Sequence, residues 1–365
     1  MTTEPTGERM RAAVFHGGRD IRVESVPVPL PGPGEVLVRV GAAGICGSDV
    51  LAFRGLGPWQ HSADAPGRDG HELAGEVAAL GPGVTGLAVG QRVAVEPRHL
   101  IACGECPPCL AGRAHLCRRR GYVGDRHVTS EGFAEYDLCP AERAHPLPGH
   151  VSLGAGAILD CYACGVHTYN LVETALAETP GGVMVILGAG TMGLTMGQVA
   201  RSHGLRVLLT GTSRESLDLA LRAGAADEVV LVGSEDPAEA VAALTEGRGA
   251  DVVVDAVAIP QVTLQQAVEL VTPGGQVCVL GVFATPPRLD PHLAYVKEVS
   301  LHWSNSYGTH RGGSEYVTAL ELVASGAVAA DPLITHRFPL ERIREAFVAA
   351  DEKDASLAMK VIIQP

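Results

Sequence analysis

The sequence predicts an α/β protein of two domains, one all-β and the other a doubly wound parallel sheet covered by helices. Three observations predict it. The chain has 365 residues, and at about 150 residues per domain that length calls for two cores. Residues 11–100 hold short apolar runs separated by Pro and Gly clusters, which is the pattern of strands joined by turns. From about residue 165, β-rich runs alternate with Ala-rich helical stretches, as in a sheet whose connections are helices.

In the first half the apolar runs are 35–40, 75–80 and 91–95, punctuated by LPGPG and LGPGVTG. In the second, the β-rich runs are 183–187, 206–210, 228–232, 250–255 and 276–280, with a further one near 299–303. Helical patterns follow at 314–324 and 341–351, with DPLITHRFPL between them and a strand at the terminus. Internal repeats and low-complexity tracts are absent from the sequence.

Composition narrows the function. Apolar residues make up 46% and charged residues 19%, which suits a packed chain rather than a disordered one. With 28 basic against 41 acidic side chains the net charge is −13, so a nucleic acid would be repelled. At 4%, aromatic residues are too few for base stacking or a membrane belt. No stretch is long and apolar enough to cross a membrane, and the N-terminus lacks the apolar core of a leader, so a cytoplasmic protein is expected.

Four of the nine cysteines, Cys103, Cys106, Cys109 and Cys117, stand in C-x2-C-x2-C-x7-C spacing. Gly and Pro turns let four sulfurs converge on one tetrahedral ion, and four thiolates leave no position open, so a structural Zn is expected. An iron–sulfur cluster and unligated thiols are the alternatives.

Val183–Leu187 runs into Gly188-Ala-Gly190-Thr191-Met192-Gly193 and then a helical pattern. This strand, G-x-G-x-x-G and helix order is the one pyrophosphate binding requires. Gly188 permits the turn, Gly190 the approach of phosphate, and Gly193 the packing of helix on strand. About 20 residues on, an acidic residue would mark a free ribose 2′-hydroxyl. That place holds Gly211, followed by Thr212, Ser213 and Arg214, so a 2′-phosphate meets donors instead of a carboxylate and NADP is favoured over NAD. The alternative is a solvated turn with an incidental Arg.

Two loops of the β half carry GICGSD, with Cys46, Ser48 and Asp49, and GHELAGE, with His71 and Glu72. With GEVLVRV, GQRVAVEP, the cysteine loop, GFAEY, GAGTMG and DPLITHRFPL in this order, the chain resembles the zinc-dependent medium-chain alcohol and polyol dehydrogenases, the group containing sorbitol and threonine dehydrogenases. The resemblance covers nearly the whole chain. It implies a GroES-like β-barrel catalytic domain, residues 1–158 with a return at 304–365, interrupted by a Rossmann domain at 159–303, with the active site in the cleft. It also implies two Zn per chain. The catalytic one would be held by Cys46, His71 and Glu72, with Asp160 as a further ligand or as holder of a bound water; Cys161 is the alternative to Asp160. Ser48 would take the substrate's proton, and Asp49 would support a ligand. The implied reaction interconverts a secondary alcohol (a polyol, amino alcohol or natural-product hydroxyl) and a ketone, in a homo-tetramer or a homo-dimer.

Three places depart from the family pattern. Leu51 stands where many relatives have a proton-relay His, Arg68-Asp69 precedes GHE where apolar residues are usual, and Asn305, Ser306 and Tyr307 stand near where sorbitol dehydrogenases bind the polyol with Arg. Arg68-Asp69 is read either as facing the active-site mouth or as a surface ion pair. Two rivals remain: a non-catalytic zinc-ribbon binding or regulatory protein on the same fold, and a zinc-free quinone-reductase relative. The second would lack the cysteine cluster and the Cys46/His71 pair.

Overall fold

A computed structural model describes residues 7–56, 61–123, 126–177 and 181–365. They form two compact units, one of residues up to Asp160 together with Ile334–Pro365, the other of Cys161–Leu333.

The first unit is built on a mainly antiparallel sheet in the order Ile334–Pro339, Lys360–Gln364, Glu35–Gly44, Glu72–Leu80, Arg92–Val95, Ala144–Pro146. Glu35–Gly44 is its hub. One edge pairs with Glu72–Leu80, while the other is shared between Tyr136–Pro140 and the C-terminal strand, which meets Ala43 and Gly44. Buried within the sheet, Glu35–Gly44 has few polar residues to show to water, and Val36, Leu37, Val38, Val40, Ala42 and Ala43 are all buried. Helix Ile343–Asp351 closes this core through Ile343, Ala346, Phe347 and Ala350, spaced as one helical face. Around Phe347 stand Phe15, Phe53 and Phe133 at centroid distances of 5.4, 5.2 and 5.5 Å. Such ring pairs add about 0.5–1.5 kcal/mol each beyond burial. They fix the chain's C-terminal segment to its N-terminal half.

The second unit holds a six-stranded parallel sheet in the order Glu228–Leu231, Arg206–Gly211, Val183–Leu187, Ala250–Asp255, Val271–Val279, Ser300–Trp303. Val183–Leu187 is buried at every position, as expected of a strand covered on both faces. The strand order reverses beside it, and such a reversal opens a crevice at the carboxyl ends of the strands.

The expected return to the first unit at residue 304 is corrected. Residues 304–333 belong to the second unit, because buried polar groups tie them there. Glu315 accepts from His167 Nδ1 at 2.9 Å and from the Asn170 amide at 2.8 Å. The Gln198 amide donates to the Ala329 carbonyl at 3.0 Å and accepts from the Ala329 N–H at 3.1 Å. Tyr307 is buried against Tyr316, with ring centroids 5.8 Å apart. Among the described residues, no helix is long and apolar enough to cross a membrane.

One buried acid makes the first unit pH-sensitive. Asp137, on strand Tyr136–Pro140, lies 3.9 Å from Arg98 and keeps Oδ2 without a partner among the described residues. Burial pushes its carboxyl up to about 7, against the opposing pull of Arg98. Because the folded value lies above the ordinary 3.8, the native state holds this proton more tightly than the unfolded chain. The group's contribution is complete at low pH and is lost as pH rises towards 7. Asp137→Asn should therefore raise stability relative to the parent by on the order of 2 kcal/mol more at pH 8 than at pH 5. Denaturant unfolding at the two pH values measures the difference, and an equal effect at both would contradict it.

Candidate active site

The turn after Glu35–Gly44 and the start of Glu72–Leu80 bring the first cluster together, since Gly44 and Glu72 are cross-strand partners. One donor atom each from Cys46, His71 and Glu72 lies within 4.8 Å of the others. A sulfur, an imidazole nitrogen and a carboxylate oxygen at that spacing fit a Zn ion with a position left for substrate. Asp49, buried in helix Gly47–Phe53, organises two of the three. Its Oδ2 accepts from the Cys46 N–H at 2.8 Å, and its Oδ1 lies 3.6 Å from His71 Nδ1. Burial pushes the Asp49 carboxyl up to about 7, although His71 opposes this. For His71, burial disfavours the charged form, but Asp49 and Cys46 outweigh it and hold the imidazole well above its ordinary value. Ser48, two residues from Cys46, stands half-buried in the first turn of the same helix.

Two neighbours of this cluster are not visible in local sequence. Lys360, from the C-terminal strand, sets its ammonium 2.8 and 2.7 Å from the two Glu72 oxygens and 3.2 Å from the Ile45 carbonyl. His99 places its ring edge-on to His71 at 5.3 Å. A lysine just before the apolar run VIIQ was the one signal for the first, since a buried cation needs a buried anion.

Asp160 lies in the first turn of helix Leu159–Ala177, and its charge acts on His71. It is not among the three donors that converge within 4.8 Å. Cys161 is buried, and its carbonyl accepts from Thr195 Oγ1. Leu51 is at the expected relay position and is partly exposed. Arg68 and Asp69 do not pair with each other. Asp69 meets His61 at 2.7 Å, and Arg68 meets Glu131 at 2.5 Å.

The second cluster is the four cysteines. Sulfur separations of 3.4 Å (Cys106–Cys109), 3.5 Å (Cys103–Cys117) and 4.0 Å (Cys103–Cys109) bracket the ~3.8 Å edge of a tetrahedron with 2.3 Å Zn–S bonds. Backbone N–H groups of Glu105 and Cys106 pull the Cys103 thiol down to about 6. Burial and the neighbouring sulfurs push Cys109 up to about 12. A cation resolves that conflict by making all four thiolates compatible.

In the second unit the three glycines differ in what they require. Gly188 has φ +111°, Gly190 has open space where a side chain would be, and a Cβ on Gly193 would come within 1.9 Å of the Gly188 carbonyl oxygen. Gly190 caps helix Thr191–Ser202 without a side chain, leaving its first-turn N–H groups to face an anion; Thr191 and Met192 form that turn. These residues fit a dinucleotide pyrophosphate. Gly211 proves to be a packing position, since a Cβ there would meet Ala189 at 2.7 Å and Leu217 at 3.0 Å. Ser213 caps helix Arg214–Arg222 by accepting from the Ser216 N–H and donates to Glu215, while Thr212 and Arg214 are exposed.

A parallel sheet with a glycine loop and a separate thiolate–imidazole–carboxylate cluster define a nucleotide-linked metal dehydrogenase. Residues 32–149 match the alcohol dehydrogenase GroES-like domain, and residues 191–325 match the zinc-binding dehydrogenase domain. The chain is 33% identical to sorbitol dehydrogenase of Halalkalibacterium halodurans over 354 residues, 96% of this chain and 97% of that one. Among solved structures, a zinc-binding dehydrogenase from Sinorhizobium meliloti 1021 bound to NADP is 30% identical at TM-score 0.84, covering 98% and 100% of the two chains. An Escherichia coli CFT073 alcohol dehydrogenase complexed with NADH is 26% identical at TM-score 0.85, with the same coverage. The chain belongs to the zinc-binding alcohol and polyol dehydrogenase family, and it is an NAD(P)-linked oxidoreductase acting on CH–OH donors.

Proposed function

We propose that the chain holds two Zn, one at Cys103, Cys106, Cys109 and Cys117 and one at Cys46, His71 and Glu72 with Asp160, and interconverts a secondary alcohol and a ketone. The convergence of Cys46, His71 and Glu72 carries this reading. When bound there, Zn supplies Lewis acidity that lowers the pKa of the substrate hydroxyl. Ser48 would take the hydroxyl proton and pass its own onward to solvent, Asp49 holds His71 in orientation, and NAD(P)+ held at the glycine loop would supply the acceptor for the carbinol hydride. A polyol, an amino alcohol or a natural-product hydroxyl are the candidate substrates. Reduced-nicotinamide absorbance with a panel of such alcohols and both cofactors tests the reading, and a chain that binds cofactor and metal without turnover would refute it.

NADP is the favoured cofactor. No carboxylate stands at Gly211, and the exposed Arg214 opens the helix that follows. Ser213 is committed to its helix, so Arg214 and Thr212 are the donors left for a 2′-phosphate. Arg214→Ala should weaken NADP alone by roughly 1.5–3 kcal/mol, since NAD offers that guanidinium no phosphate. Cofactor KM values measure it, and equal weakening of both cofactors would refute the preference. Gly211→Asp is no test of specificity, because the packing against Ala189 and Leu217 would break first.

A homo-tetramer, with a homo-dimer as the alternative, is the proposed assembly. Strand Ser300–Trp303 supports it: it ends the sheet with one edge unpaired among the described residues, and Tyr295, Val296 and Trp303 beside it are exposed. A reducing cytoplasm suits the thiolate sites.

A further inference from the structure

We infer that Asp255 is a positioning residue for the dinucleotide: it folds residues 256–259 into a turn that sets Val257 against the glycine loop as one wall of the cofactor crevice. The inference rests on the reading that residues 188–193 hold the pyrophosphate.

Strand Ala250–Asp255 lies beside Val183–Leu187, on the side away from Arg206–Gly211, and Asp255 is the cross-strand partner of Leu187, the residue before Gly188. The chain leaving this strand is therefore at the carboxyl-end crevice, where such sheets take nucleotides. Asp255 is fully buried. Its Oδ1 accepts from the Val257 N–H at 3.0 Å and the Ala258 N–H at 2.8 Å, and its Oδ2 accepts from Thr263 Oγ1 at 2.6 Å. Two successive N–H groups reach one oxygen because Ala258 has φ +60°, a left-handed conformation that alanine has no polar side chain to support. Gly281 leaves room for it, since a Cβ there would meet the Ala258 Cβ at 2.8 Å. Thr263 Oγ1 closes the turn from its far side by accepting from the Ile259 N–H at 3.0 Å.

The turn bears directly on the glycine loop. A Cβ on Gly188 would come within 2.2 Å of Val257 Cγ2, so this valine lies on the glycine that turns the chain towards phosphate. Val257 and Ile259 are nevertheless 42% and 47% exposed. Branched apolar side chains held open at a crevice rim, on a turn built by a buried carboxylate, offer their contact to a ligand rather than to the core. Because Ala258 does not favour its own conformation, the wall is only as firm as the carboxylate that holds it.

The test follows NADH and NADPH binding to the full chain by the fluorescence of the reduced nicotinamide, with thermal unfolding measured beside it. Compared with the parent are Asp255→Asn, Asp255→Ala, Val257→Ala, Asp255→Ala/Ala258→Gly and Asp255→Ala/Val257→Ala. Asp255→Asn keeps an oxygen for both N–H groups and should bind within about threefold of the parent. Asp255→Ala should weaken binding about 10-fold, as the turn is populated only in part. NADH and NADPH should lose the same factor, because the turn and Gly211 lie on opposite sides of Val183–Leu187. Val257→Ala, which deletes both branches of the side chain, should also cost roughly tenfold for both. In the Asp255→Ala background the same change should cost less than about threefold, since the wall is already out of place. Ala258→Gly in that background should recover about threefold or more, because glycine adopts this φ unaided.

Binding by Asp255→Ala within about twofold of the parent would overturn the proposal, as would full additivity with Val257→Ala or no recovery from Ala258→Gly. If Asp255→Ala does not fold, Thr263→Val decides: weakening of both dinucleotides by about threefold or more supports the proposal, and a smaller effect overturns it. A parent chain that binds neither NADH nor NADPH would instead mean that the reading of the glycine loop had failed.

Discussion

Cys46→Ser is expected to abolish turnover while the protein stays folded and retains about one Zn per chain, the one bound to the four cysteines. Cys46 supplies the only sulfur of its cluster and precedes the helix whose Asp49 also reaches His71. A serine hydroxyl keeps the shape but is not ionised near neutrality, so the ion loses its softest and most strongly held ligand. Metal analysis with steady-state rates checks this. Near-normal turnover would remove Cys46 from the site.

Cys106→Ser should act on stability instead. The cysteine loop has little else to order it: helix Pro107–Leu110 is one turn long, and Leu110 and Leu116 are exposed. Structural Zn contributes binding energy on the order of 10 kcal/mol to such segments, far more than the loop's own contacts can replace. The variant should lose that Zn and unfold or aggregate at a temperature lower by more than about 10 °C. Its folded fraction should keep turning over at low temperature. If both serine variants lost activity equally at full stability, the division into a working site and a stapling site would be wrong.

What was legible in the sequence was what is local. Strands Val183–Leu187 and Ala250–Asp255 coincide with their apolar runs because burial on both faces leaves an unbroken signal. Strand Val271–Val279 starts earlier than the run at 276, because Thr272, Pro273 and the two glycines hide its beginning. The cysteine spacing and the glycine loop were legible for the same reason, each closing within one short segment. Lys360 was not, because its partner Glu72 is 288 residues away. Asp69 and Arg68 misled through adjacency, since neighbours in sequence took His61 and Glu131 as partners. At Gly211 the sequence did not show a second constraint, the packing of Ala189 and Leu217 where a Cβ would be.

The last strand, Lys360–Gln364, sits inside its sheet, between Ile334–Pro339 and Glu35–Gly44. During translation, every residue of the second unit leaves the ribosome before this strand exists, so the interrupting unit has all it needs to fold while the interrupted one waits. Domains commonly mature in the order they are made. Here the half begun first is completed only when Lys360–Gln364 emerges, and until then its sheet exposes the edge at Ala43 and Gly44, next to the cysteine that would receive metal. A nascent chain stalled before Lys360 would present an open strand edge at Ala43 and Gly44 and a Glu72 without its lysine, and open strand edges favour aggregation.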